Sequence, residues 1–379
     1  LTYHYIDSNQ ALSDFCLRIR NDRYCALDTE FIREKTYYPV LALIQLATES
    51  AQACIDPLAI DDFTPLVELF HNRSMLKILH APGQDLELFY HRFAVLPVPI
   101  FDTQLAAAVL GYANQIGYAD LVNRLCRVQL EKKYTRANWS RRPLSEGELD
   151  YAMDDVRYLI DIYQQLNTDL QQRGRLDWIQ DDLETLSEPA TYQVNSADLW
   201  KRLKGVQKLK GAGLNNADQL CRWREQVAID KNRPRRWIMK DEDIIDIARF
   251  RPRSAAELAQ IGSLSSEYIR KNGEAILLIL DQAEQIDPSE YPRHQAVTKL
   301  SNQQQAVSDC LMAISRDVTE ENEIALASVA TKKDIDLMVI GQNATKLLSG
   351  WRYQMLGKVL QSFLEGEISV SVENGRLKY

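Results

Sequence analysis

The apolar pattern of this 379-residue chain changes character near residue 175, and neither a purely helical nor a purely stranded fold accommodates that change. Before it, short apolar runs of strand length alternate with segments of helical spacing. Tyr24 to Leu27 is one such run and ends in Asp28-Thr29-Glu30. Val40 to Ala47 and Ala51 to Ile55 are two more, joined by the polar Thr48-Glu49-Ser50. This order predicts three consecutive antiparallel strands in a mixed sheet. Phe63 to Phe70 and Leu86 to Phe93 read as helices and Met75 to Leu79 as a further strand, so helices should cover the faces of the sheet. From Ser145 a single long helix is expected to reach at least Leu170 and to stop near Gly174. Ser145 caps it, and Glu148 three residues on completes a capping box.

After residue 175 the strand signals vanish. The charged stretch from Asp177 to Ala197 contains Pro189 and reads as a connector with some helix. Beyond 210 two segments have similar helical layouts, with candidates near 216–229, 241–250, 254–260 and 264–284, then near 302–315, 331–338, 343–349 and 351–363. Pro288 and Pro292 lie between them. The layout points to a diverged duplication of a small helical bundle. The expected organisation is an α/β domain over 1–190, a connector over 191–209, and all-α domains over 210–290 and 296–379.

No apolar run approaches the ~20 residues that span a bilayer. The first residues lack the basic, apolar and small-residue succession of a secretory signal, so the cytoplasm is the expected location. The six cysteines are scattered and the five histidines form no ligand pattern, which argues against a disulfide framework or a zinc site and leaves oxygen as the donor for any metal. Net charge is −8, but binding to a polyanion depends on local clusters. From 131 to 142 stand Lys132, Lys133, Arg136, Arg141 and Arg142 against Glu131 alone. From 201 to 210 there are five basic residues and no acid, and from 222 to 253 ten basic and six acidic. Three such runs in an acidic protein suggest a phosphate-facing role.

Three short patterns carry the chemistry. Asp28 and Glu30, two apart at the end of a strand, put both carboxylates on one sheet face, where a divalent cation is the simplest compensation for their repulsion. Asp85 follows His80-Ala81-Pro82-Gly83-Gln84 between a strand and a helix, so it lies near that helix's positive end and at the edge where active sites form in α/β sheets. Tyr151 and Asp155, four apart, share a face of the capped helix, whereas Asp154 is rotated by about one hundred degrees. Each pattern alone has an ordinary structural explanation. Their combination is more specific.

Asp-x-Glu, an Asp after a strand-turn, and Tyr-x-x-x-Asp, in this order, resemble the DEDD superfamily of 3′→5′ exonucleases in its tyrosine branch. The words "ALDTEF", "TYYPVLALIQLA", "LHAPGQDLE", "FDTQ" and "WSRRPLSEGELDYAMDDVRYL" resemble the ribonuclease D family across the whole α/β part. "NRPRRWIMKDEDIIDIARFRPRSAAELAQI" resembles the helicase-and-ribonuclease-D C-terminal (HRDC) domain, a bundle that binds nucleic acid. The family carries two copies. The second here lacks the Arg-Pro-Arg-Arg-Trp word and is acidic at "RDVTEENE".

The resemblance implies a ribonuclease H-like α/β catalytic domain, a mixed sheet flanked by helices, followed by two helical bundles. It implies two divalent ions, Mg²⁺ or Mn²⁺, with Asp28 bridging, Glu30 and Asp155 completing the nucleophile-side site and Asp85 acting largely through water. It further implies RNA as substrate, with transfer-RNA precursors and other small stable RNAs trimmed from the 3′ end to nucleoside 5′-monophosphates. No membrane and no obligate protein partner are expected. Hard cations suit such a donor set, and a pair of them can stabilise both the entering and the leaving oxygen of a phosphodiester. A phenol with a pKa near ~10 is a poor base, so Tyr151 is expected to orient a water by hydrogen bonding. Lys132, Arg141 and Arg142 are candidates for holding phosphates, with Arg235 and Arg236 in the helical half. Phe31 and Trp237 are candidates to stack on a base, packing being the favoured role for both. The residues alone do not distinguish ribose from deoxyribose.

Overall fold

The computed structural model describes residues 3–131, 133–294, 299–343 and 345–379. The chain forms two compact units: Leu1–Ile32, Leu41–Tyr192 and Thr298–Tyr379 make one, and Arg33–Val40 with Gln193–Val297 the other.

The first unit is built on a six-stranded mixed sheet. In chain order it contains β1 (His4–Ile6), α1 (Asn9–Ile19), β2 (Tyr24–Ile32), β3 (Val40–Thr48), β4 (Gln52–Ile55), α2 (Thr64–His71), β5 (Leu76–Leu79), α3 (Gly83–Phe93), β6 (Ile100–Asp102), α4 (Thr103–Val109), α5 (Tyr118–Cys126), α6 (Glu146–Arg157), α7 (Leu159–Gln172) and α8 (Gln180–Ser187). The strand order is β1-β4-β3-β2-β5-β6. The β3–β4 pair is antiparallel, as its short polar turn requires, while β1–β4, β2–β5 and β5–β6 are parallel. Strand β2 is therefore interior. Its Cys25, Ala26 and Leu27 are buried consecutively, which fits a strand covered on both faces.

Two expectations need correction here. Asp28 and Glu30 lie within β2 rather than at its end, because Thr29, Phe31 and Ile32, all good strand formers, carry it on to Ile32. The single helix expected from Ser145 is broken at Tyr158, whose φ of −105° and ψ of −3° end α6. The break serves two packing surfaces. Helix α6 buries Ala152, Met153 and Val156 against β2 and β4, and α7 buries Leu159, Ile162, Leu166 and Leu170 against α4, α5 and the β2–β5 pair. The capping box at Ser145 and Glu148 is present.

The second unit has its own core. Helices α9 (Ala212–Asp230), α10 (Arg235–Ile238), α11 (Asp241–Phe250), α12 (Ala255–Leu258) and α13 (Ser266–Glu284) enclose Leu214, Leu220, Ile244, Ile247, Leu258 and Ile276. The stretch read as a connector supplies Leu199, Trp200 and Leu203 to this core. Arg33–Val40, the chain leaving β2, also belongs here. The Tyr37 hydroxyl donates to Glu225, the Tyr37 amide donates to Asn232 at 3.0 Å, and Arg235 donates to both Glu225 and the Tyr37 hydroxyl.

The chain then returns to the first unit with α14 (Asn302–Glu321), α15 (Leu326–Val329), α16 (Lys332–Val339), α17 (Gly350–Arg352) and α18 (Lys358–Leu364). Leu311, Ile314, Ile324 and Leu356 join the same apolar cluster as Leu66 of α2, Leu86 of α3 and Phe101 of β6. Trp351 stacks on Trp178 with centroids 4.8 Å apart and planes 6° from parallel. Arg175 donates to Val109 O at 2.9 Å and Asn322 O at 2.8 Å. The all-helical expectation fails at the tail. Ser371–Glu373 (β7) and Arg376–Lys378 (β8) pair antiparallel across Asn374-Gly375, both at positive φ, the turn geometry that an Asn-Gly hairpin adopts.

Candidate active site

The four carboxylates come from three elements of the first unit. Asp28 and Glu30 project from the same face of the interior strand β2. Asp85 sits in the first turn of α3, where the helix's free N–H groups favour a negative charge. Asp155 lies on α6, which packs against β2. The Thr29 hydroxyl, one residue along β2, donates to Asp85 and ties α3 to the strand.

These groups act on one another. Burial pushes the Asp28 carboxyl well above the carboxylate range, and the charges of Asp85, Asp155 and Glu30 push it further. Glu30 is raised to about 8 by burial and then by Asp155 and Asp85. Asp155 is raised to about 7 by burial, then by Asp154 and Asp85. Asp85 is raised to about 6 by burial, against the opposing hydrogen bond from Thr29. The set is thus a concentration of like charge in a low-dielectric setting, costly unless it is protonated or neutralised by a cation. Among the described residues no three His, Cys, Asp or Glu side chains are drawn together as a finished metal cage. The four share a field rather than a common point. Their all-oxygen donor set fits a hard divalent cation, with Asp28, Glu30, Asp85 and Asp155 as the residues that would hold it.

Tyr151 stands one turn before Asp155. Its hydroxyl is 3.4 Å from Thr135 Oγ1, and its ring lies against Tyr134 and Trp139. Burial pushes the phenol above its ordinary value, which suits a hydrogen-bonding group and not a base. Asp154 points elsewhere, as its helical offset predicts, and pairs with Arg157.

Sequence reasoning missed the residues that hold this arrangement. Asp102 accepts from the Ala81 and Gln104 amides, both at 2.9 Å, and so pins the turn that delivers Asp85. His80 is held between Thr103 Oγ1 and Ile116 O, each at 2.9 Å, and burial lowers its pKa to about 4, so it serves as a neutral strut. The Tyr118 hydroxyl donates to Asp154 O at 3.0 Å. The words "LHAPGQDLE" and "FDTQ" contained two of these residues but gave no reason to separate strut from ligand.

The expected phosphate contacts fare unevenly. Arg142 is withdrawn: its guanidinium donates to both Asp56 oxygens at 2.5 and 2.7 Å, and to Trp139 O and Ala42 O, so it is spent inside the fold. Arg141 stays largely exposed, with one pairing to Glu148 at 3.2 Å. Lys132 lies outside the described residues. Phe31 packs against the core, as favoured. In the second unit Arg235 is tied to Glu225 and Tyr37, which withdraws it as a free phosphate ligand, whereas Arg236 is exposed and 3.9 Å from Glu242. Trp237 reverses the expectation of packing, being 59% exposed, because α10 is one short turn that buries no residue.

Comparison with known proteins accords with this geometry. Residues 3–171 match the 3′-5′ exonuclease family model and residues 214–280 the HRDC domain model. The chain is 37% identical to ribonuclease D of Sphingobium indicum over 98% of its length and 97% of the relative's, and 34% identical to that of Zymomonas mobilis over 98% and 96%. The crystal structure of Escherichia coli RNase D, described as an exoribonuclease involved in structured RNA processing, superposes with a TM-score of 0.86 at 30% identity, covering 97% of this chain and all of that one. A protein from Bifidobacterium adolescentis shares the fold, with a TM-score of 0.72 at 20% identity. No helix among the described residues is long and apolar enough to cross a membrane. Shared sequence along nearly the whole chain, a shared fold and an acidic site on a matching exonuclease domain lead to one assignment: the chain belongs to the ribonuclease D family of metal-dependent 3′→5′ exoribonucleases.

Proposed function

We propose that this enzyme trims the 3′ ends of transfer-RNA precursors and other small structured RNAs in the cytoplasm, releasing nucleoside 5′-monophosphates. The observation that carries the catalytic reading is the placement of Asp28, Glu30, Asp85 and Asp155 on β2, α3 and α6, with α3 tied to β2 by the Thr29–Asp85 hydrogen bond and α6 packed against β2, and with burial raising all four carboxyls. Two divalent ions, Mg²⁺ or Mn²⁺, would be held by these four residues and would supply charge neutralisation at the phosphate and activation of water. Tyr151 would orient the attacking water through its hydroxyl, and Arg141 would steady a non-reacting phosphate. The free, mostly buried cysteines fit a reducing compartment. In domain terms, 1–190 would be the exonuclease, 191–209 a connector, 210–290 the first HRDC-type bundle and 296–379 a diverged second.

Tyr151→Phe tests the division of labour. Turnover on an RNA oligomer should fall on the order of 10²-fold while affinity measured without metal holds, as expected for a lost positioning contact. Asp28→Ala should cost on the order of 10³-fold or more, because charge stabilisation itself fails. Full activity in Tyr151→Phe would remove that residue from the mechanism.

A further inference from the structure

An exposed indole is unusual in a protein whose other large aromatics mostly pack, and Trp237 stands between two hollows of the second unit. On one side it borders a cavity of about 500 Å³ whose lining includes Arg202, Arg224, Arg235 and Arg236. On the other it borders one of about 600 Å³ whose lining includes Lys231, Arg233 and Lys271 against a single acid, Glu267. The lining also holds Arg33 and Glu34, of opposite charge, and Arg224 and Arg235 are neutralised by Asp241 and Glu225, so the basic excess of the first hollow falls to Arg202 and to Arg236, whose one acidic neighbour, Glu242, is 3.9 Å away and exposed. Arg233 lies over the Trp237 ring, 5.7 Å from its centroid.

We propose that Trp237 is a stacking platform for one unpaired nucleotide of the RNA, whose flanking phosphates rest in the two hollows, on Arg202 and Arg236 to one side and on Arg233 and Lys271 to the other. The proposal rests on the exoribonuclease reading and adds a single-stranded contact remote in sequence from the carboxylates. The chemistry favours nucleic acid over a protein partner. A flat π face bracketed by cations matches a base between two phosphates, and stacking needs no particular base. An apolar peptide would gain from the indole but nothing from the cations.

The test measures affinity of the full-length chain, in EDTA to prevent hydrolysis, for a single-stranded RNA oligomer and a blunt RNA duplex. Trp237→Ala should weaken single-strand binding on the order of 10-fold or more. Trp237→Phe should restore most of it, and the duplex, whose bases are already stacked, should be bound as by the unaltered chain. Arg236→Ala should lower the salt dependence by about one counterion. Unchanged single-strand affinity in Trp237→Ala, or an equal loss on both RNAs, would overturn the platform. Mononucleotide release by the unaltered chain in Mg²⁺ is scored separately: its absence would fault the exonuclease reading, whereas its presence with unchanged Trp237→Ala affinity would fault only the platform.

Discussion

The two helical segments downstream of the sheet look alike in sequence layout and place one tryptophan each, Trp237 and Trp351, in opposite settings. In the second unit Trp237 is 59% exposed among arginines and lysines. In the returning segment Trp351 is 7% exposed and stacked on Trp178, and the helices around it share an apolar core with the sheet. Arg352 lies over that ring, 4.5 Å from its centroid, and pairs with Asp182. One bundle keeps an independent core and an aromatic face in solvent. The other is structurally part of the exonuclease unit. Similar helical patterns therefore do not carry similar tasks; what each buries decides.

That contrast can be broken most severely by removing the returning segment. A chain ending at His294 should lose cooperative unfolding of the first unit while the helical signal of the second survives, since only the first loses core residues. Circular dichroism and limited proteolysis would show it, and a first unit that stays protected would contradict the shared core. Next in size is Trp351→Ala, which should destabilise the first unit by about 3 kcal/mol in a denaturant melt. Trp237→Ala should change stability by less than about 0.5 kcal/mol, being exposed. Gly111 sharpens the same point. It sits at φ +95° with a built Cβ only 2.1 Å from Glu323 O, so Gly111→Ala should both strain the backbone and wedge the returning segment away. A loss on the order of 2 kcal/mol is expected, and a neutral result would mean that the close approach is not needed.

A smaller effect concerns pH. In the metal-free protein Glu30, Asp155 and Asp85 have values near 8, 7 and 6, above the ordinary ~4 of unfolded carboxylates. The unfolded chain then binds fewer protons than the folded one between about pH 4 and 8, so these groups make stability fall as pH rises through that window. Divalent cations held by these carboxylates, as proposed, would favour the ionised folded site and should offset the loss. The Mg²⁺-induced rise in Tm should accordingly be a few degrees larger at pH 8 than at pH 5. Equal shifts at both pH values would detach the cation from the carboxylates.

Much of the catalytic unit was legible because its signals are local. The two-residue pitch of Asp28 and Glu30, the four-residue pitch of Tyr151 and Asp155 and the Ser145–Glu148 box all follow from backbone geometry. What could not be read depends on distant partners. Arg142 looked like a phosphate ligand until Asp56, far away in sequence, claimed it. Trp178 and Trp351 meet only because the chain returns after an entire second unit. Asp102 and His80 resemble ligands in type and act as struts because their partners are backbone groups and a hydroxyl. The Asn374-Gly375 hairpin was a local signal that the helical reading of the second half overrode.

The most direct measurement follows a 5′-labelled RNA oligomer through time with the unaltered chain and with Asp28→Asn, each in Mg²⁺ and in EDTA. The unaltered chain in Mg²⁺ should shorten the labelled strand one nucleotide at a time, while the other three reactions leave it at full length. A ladder of the same rate from Asp28→Asn, or one that persists in EDTA, would contradict catalysis by the shared acidic site.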